Sequence, residues 1–155
     1  MNDLFLARAL HVLAVVIWIG GVWMVTTIVL PTVRSGQLGA DRVRALRAIE
    51  QRFVWHARAA VIVVGATGFY MVVRLNLWPR FQLPQFWWMH AMAGIWVLFV
   101  LMLFVIEPLS PRRRLEDDQA ADQALARLFR GHLVLLALAS ITILGAVAGS
   151  HGWLF

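Results

Sequence analysis

Four histidines carry most of the chemical reach of this chain: His11, His56, His90 and His132, each set in a separate apolar stretch, with His151 left over near the C-terminal end. A neutral imidazole ligates iron, copper or zinc, and a polar, ionisable group set in hydrocarbon is a functional-site hypothesis by default. Other chemistries are missing. The chain has no cysteine, which removes thiolate ligands, disulfides and redox thiols together. No Ser-His-Asp set and no glycine-rich phosphate loop stands out. Whether the imidazoles act as a set depends on the depth and face at which each is held, and that is decided by the segments that carry them.

Those segments belong in a bilayer. Of the 155 residues 61% are hydrophobic, and the mean hydropathy is +0.76; soluble domains are typically about 45–50% apolar. A crossing needs roughly 20 mostly apolar residues, because a helix rises about 1.5 Å per residue through about 30 Å of hydrocarbon. Uncharged runs at 9–33, 81–106 and 131–155 meet that requirement. So does 53–73 apart from Arg58, whose long stem lifts its guanidinium toward an interface. The expected architecture is an all-α membrane protein, a four-helix up-down transmembrane bundle forming a single transmembrane domain, with spans at about 6–30, 53–75, 86–107 and 129–150. The first run is too long for a signal-peptide core and is expected to be retained. Pro31 and Pro108 are expected to end their spans, since proline brings no backbone donor.

Four crossings put both termini on one face, side A, and segments 31–52 and 107–130 on the other, side B. Side B then holds Arg34, Arg42, Arg44, Arg47, Arg52, Arg112, Arg113, Arg114, Arg127 and Arg130, while side A holds Arg8, Arg74 and Arg80. The positive-inside rule makes B cytoplasmic and leaves both termini in the periplasm of a bacterial inner membrane. All fourteen basic residues are arginine; this bias accounts for the net charge of +6, so nucleic acid is not an expected partner. Val43, Leu46, Ile49 and Phe53 share one stripe, which makes 40–52 an amphipathic lead into the second span. Pro79 and Pro84 mark a short interfacial connection, and Trp87 and Trp88 anchor the start of the third span.

Depth then sorts the histidines into pairs. His11 and His90 lie near the starts of spans running from A to B, and His56 and His132 near the starts of spans running from B to A. In an up-down bundle, spans one and three are diagonal, as are two and four, so each diagonal carries one histidine layer. Two imidazoles facing each other across the axis are the ligand pair of a b-type haem. The first reading is therefore a membrane b-type cytochrome, with His11 and His90 on one haem and His56 and His132 on another, about 15–20 Å apart. One haem or two would fit. Ala14, Ala59, Ala60 and Gly94 leave room one turn from the ligands, and Arg58 and Arg130 are candidates to pair with propionates. With both axial positions closed, such a protein is a membrane oxidoreductase or electron carrier working at the haem edge, with a quinone from the lipid bilayer or a small oxidant such as superoxide. The alternative is copper, for which His11, Met89, His90 and Met92 offer imidazole and thioether, although the last three cannot all face one side of a helix. Taken singly, each histidine is equally well read as a hydrogen-bonding group between helices. His151 is expected to border the side A site without ligating, and Glu107 to be an interfacial carboxylate. Gly65 and Gly68 suit packing within one chain or between copies of a homo-oligomer.

The stretch His11-Val-Leu-Ala-Val-Val-Ile-Trp-Ile-Gly-Gly, with Phe-Trp-Trp-Met-His-Ala-Met at 86–92 and Gly-Ala-Val-Ala-Gly-Ser-His-Gly at 145–152, resembles the small bacterial CopD-like membrane proteins over nearly the whole chain. That group is named for copper resistance and uptake. It is similar in turn to the HemJ-type protoporphyrinogen oxidases, haem-b membrane proteins whose first span has a comparable His and Trp-x-Gly pattern. The resemblance implies copper or haem b as the bound species, and His11 is the residue it carries over first. The HemJ-type pattern also includes a functional lysine, and this chain has none.

Overall fold

The computed structural model describes residues 2–35, 37, 41–109 and 118–153. Four of its helices are long and apolar enough to cross a membrane. The first span is Asn2–Arg34, the second Arg42–Arg74 and the third Pro84–Leu109. The fourth helix is Asp118–Ser150, with Leu125–Ser150 as its apolar part. The chain is thus a multi-pass membrane protein, all-α among the described residues. The amphipathic lead into the second span is continuous with it from Arg42 onward. Arg112, Arg113 and Arg114 lie outside the described residues. Between the second and third spans, Asn76 takes a positive φ of 49°, which its short polar side chain tolerates. Two 3-10 turns, Trp78–Gln82 and Pro84–Phe86, each with proline in the first turn, then deliver the chain to the third span.

Each span packs on its sequence neighbours, and the first closes on the fourth. The contacts run antiparallel. Asp3, at the start of the first span, accepts hydrogen bonds from Tyr70 (2.7 Å) and Arg74 (3.0 Å) at the end of the second, while Gly21 farther along meets Phe53. The Trp96 indole of the third span donates to the Val61 carbonyl of the second (2.9 Å). Trp87 and Trp88, at the start of the third span, rest on Gly145 and Gly149 near the end of the fourth. Spans one and three are therefore diagonal, as are two and four, which is the up-down arrangement.

The prolines behave differently from expectation. Helix continues past Pro31 to Arg34 and past Pro108 to Leu109. What permits this is a π-helical turn two residues ahead of each proline, Val25–Val29 in the first span and Met102–Ile106 in the third. The Leu30 N–H donates to the Val25 carbonyl and the Glu107 N–H to the Met102 carbonyl, five residues back instead of four. An added residue in the turn absorbs the ring and the missing donor that would otherwise break the helix.

Within a bilayer, apolar side chains gain little by leaving lipid, so close backbone approach and dispersion must hold the spans together. Aromatic rings seated on glycines provide that contact. Phe53 covers Gly21, Trp96 covers Gly65, Trp87 covers Gly145 and Trp88 covers Gly149, and in each case a Cβ on the glycine would overlap the ring. The core is otherwise a stripe of small and branched residues, Ala14, Trp18 and Val22 of the first span against Ala60, Val61 and Val64 of the second. The outer surface is no less apolar. Leu144 is 70% exposed and Trp55 69%, whereas Leu30 and Val33 are fully covered. Helices apolar on all faces are expected where lipid replaces water.

Candidate functional site

His11 occupies the packing stripe of the first span, four residues after buried Ala7, three before buried Ala14 and seven before buried Trp18. Its Nδ1 lies 3.1 Å from the Val64 carbonyl and 3.0 Å from Thr67 Oγ1 of the second span. A carbonyl only accepts, and the Thr67 hydroxyl gives its own proton to the Val63 carbonyl at 2.6 Å. Nδ1 therefore carries the hydrogen in the neutral ring, and Nε2 is left with a lone pair. The missing side chain of Gly68 makes room for the ring, with His11 Cε1 3.3 Å from where a Cβ would stand.

The same logic assigns the other rings. His56 Nδ1 donates to the Arg52 carbonyl (2.9 Å), His132 Nδ1 to that of Leu128 (3.0 Å) and His151 Nδ1 to that of Val147 (2.8 Å), each one turn back on its own helix. All three present Nε2 as the donor atom. His90 is reversed: Nε2 donates to the Phe81 carbonyl (2.8 Å) and the ring stands edge-on to Phe81 at 5.3 Å, which leaves Nδ1. A metal-binding imidazole is usually held in this way, by its other nitrogen on a carbonyl or carboxylate. Burial separates the four. His11 and His132 are half-buried, while His56 and His90 are exposed on their helices. His90 is engaged with the connection that precedes its own span, and His56 with its own helix; the structure links neither to its proposed diagonal partner. Met89 is buried beside exposed His90 and Met92, so the three point different ways, as the helical period requires.

Arg58 is spent inside the protein. Its Nε and Nη2 both donate to the Leu103 carbonyl (3.0 and 2.8 Å), Nη2 also reaches Glu107 (2.7 Å), and Trp55 and Phe104 flank the guanidinium at 5.2 and 5.5 Å. The reason lies in the third span. The π turn diverts the Glu107 N–H to Met102, and the next donor along, that of residue 108, is missing because the residue is proline. Leu103 is left with an orphaned carbonyl in a low-dielectric region, and Arg58 satisfies it. Arg130 is exposed and turned toward the Ala126 carbonyl of its own helix (3.3 Å). Glu107 is thus an ion-pair partner as well as a helix-end carboxylate.

At mid-height the axis is closed. Trp18 of the first span and Phe99 of the third meet edge-to-face across the diagonal, 4.8 Å between ring centroids. The buried Trp18 indole N–H has no hydrogen-bond acceptor among the described residues. Among the described residues, no three of His, Cys, Asp or Glu converge in a way that would hold a metal ion. A metal ion held by the described residues would therefore have to rest on one or two imidazoles with softer or backbone donors. Thr67 and the Val64 carbonyl, which hold His11, are not among the residues that the sequence pattern singled out. Thr67 was the findable one, a hydroxyl placed by antiparallel pairing at the depth of His11.

A family model described as copper resistance protein D matches residues 47–149, about two thirds of the chain. The match includes His56, His90 and His132 and begins after His11. No curated protein and no solved structure matches the chain.

Proposed function

This chain belongs to the copper resistance protein D family, and on that premise we propose that it handles copper as cargo within the membrane, taking the ion up at side A. The family match over 47–149 is the observation that carries the reading. The site chemistry supports it. His11 and His132, half-buried toward opposite ends of the bundle, each offer an Nε2 whose ring is already oriented through Nδ1. Imidazole and thioether suit cuprous ion, and an arrangement of few donors suits an ion that must leave again. The arginine bias of the side B segments, in this reading, sets the periplasm as the source of the ion.

The test is direct. Cells expressing the chain should differ in total copper, measured by mass spectrometry, and in copper tolerance from cells carrying His11→Ala with His132→Ala. The protein purified in detergent should be colourless and take up cuprous ion. A Soret band with a positive pyridine haemochrome assay, together with no copper response in cells, would overturn the proposal in favour of a b-type haem held by the same histidines.

A further inference from the structure

We propose that side B carries a seat for an anionic phospholipid, in the seam between the end of the first span and the start of the fourth, with the lipid phosphate held by Arg34, Arg127 and Arg130. Two of these guanidiniums are turned toward the side B surface. Arg127 Nε donates to the Gln123 carbonyl at 3.4 Å and Arg130 Nε to the Ala126 carbonyl at 3.3 Å, each four residues back along the fourth helix. Their Nη groups remain for an anion. At an interval of three, the two side chains share one helix face. Arg34 comes in from the first span, its Cζ 5.1 Å from the centroid of the Phe129 ring, and Phe129 precedes Arg130 in the chain. All three arginines are exposed, and none has a carboxylate partner among the described residues, whereas Arg58 and Arg74 each hold one.

The mounting is firm. Leu30 and Val33 of the first span, both fully covered, meet Leu46 of the second and Leu125 of the fourth in one apolar cluster, and Phe129 packs against it. Helices locked in this way lose little freedom when an anion docks. Deeper toward the bilayer, the fourth helix changes character in the order a lipid requires. Gly131, four residues after Arg127, has open space where a side chain would stand, and Val134 and Leu138 follow it at helical intervals as exposed apolar residues. A phosphate among the guanidiniums places the glycerol and ester region at the glycine and an acyl chain along the apolar residues. Charge selects the headgroup. Guanidinium forks match phosphate oxygens with parallel N–H donors, and a zwitterionic lipid would bring its ammonium in among three cations, where an anionic headgroup meets no such repulsion. Free phosphate offers the same oxygens, but a lipid is already confined to this depth and adds the apolar contacts.

The experiment uses the full chain, stripped of lipid in detergent and titrated with phosphatidylglycerol or phosphatidylcholine, with bound lipid counted by native mass spectrometry. Phosphatidylglycerol should bind the wild type more tightly than phosphatidylcholine, and excess inorganic phosphate should not displace it. Arg34→Gln with Arg130→Gln should weaken phosphatidylglycerol binding at least ~10-fold. Arg8→Gln with Arg80→Gln removes equal charge from side A and should leave it unchanged. Gly131→Leu alters no charge and meets no neighbour, and should weaken it by filling the notch. Unfolding midpoints of both double variants should match the wild type, since all four side chains are exposed. Affinity unchanged in the Arg34 and Arg130 variant or in Gly131→Leu, an equal loss in the side A variant, or equal binding of the two lipids overturns the seat. Displacement by inorganic phosphate overturns the lipid as its occupant.

Discussion

Two tryptophans separate what a hydrogen bond contributes from what a ring contributes. The Trp96 N–H is satisfied by Val61 at 2.9 Å, whereas the Trp18 N–H, on a residue only 4% exposed, has no acceptor among the described residues. Replacing either by phenylalanine removes similar ring volume, but in one case it also deletes a bond and in the other an unsatisfied donor. Trp96→Phe should therefore be the more destabilising by about 1 kcal/mol, read from unfolding in detergent. Equal losses would mean that the Trp18 donor is satisfied in the folded protein. The histidines follow the same rule: a fixed carbonyl partner decides which nitrogen carries hydrogen, and the other nitrogen is what remains for chemistry.

Helical elements here are shaped by their prolines. Each π turn precedes a proline by the same interval, and the third span uses Arg58 of the second to satisfy the carbonyl that Pro108 abandons. The two residues should consequently be coupled. Arg58→Ala should destabilise the wild type by about 1–3 kcal/mol. In a Pro108→Ala background the restored N–H can serve the Leu103 carbonyl, and the loss should fall by more than half. A double-mutant cycle on unfolding free energies measures this, and additive losses would remove the link between the two. Arg58 also shows why a residue type is a poor guide to role: a guanidinium expected to meet a cofactor propionate is bound to backbone instead.

For the molecule as a whole, the arginine bias predicts an orientation and the glycines set the packing. Because the native chain has no cysteine, single cysteines report topology without background. A cysteine replacing Asn76, exposed between the second and third spans, should react with an impermeant maleimide from the periplasmic side. One replacing Gln123, exposed on the fourth helix ahead of its apolar part, should react only after the membrane is opened. The reverse pattern would invert the bundle and put His11 toward the cytoplasmic face. The tight seats of Trp96 on Gly65 and Trp88 on Gly149 join the third span to both neighbours, so the rotation of each helix is set by where a ring finds a glycine.

The sequence by itself determined that four helices are long and apolar enough to cross a membrane and near which end of its helix each histidine stands, because hydropathy and a rise of about 1.5 Å per residue depend on nothing but order along the chain. Tertiary structure decided which way each ring faces. Helices apolar on every side have no moment to orient them, so rotation came from glycine seats, and each π turn shifted the phase of what followed. The His11–Thr67 bond and the Arg58–Leu103 bond both depend on backbone carbonyls, which every residue carries alike; their availability was created by local geometry that no side-chain pattern records.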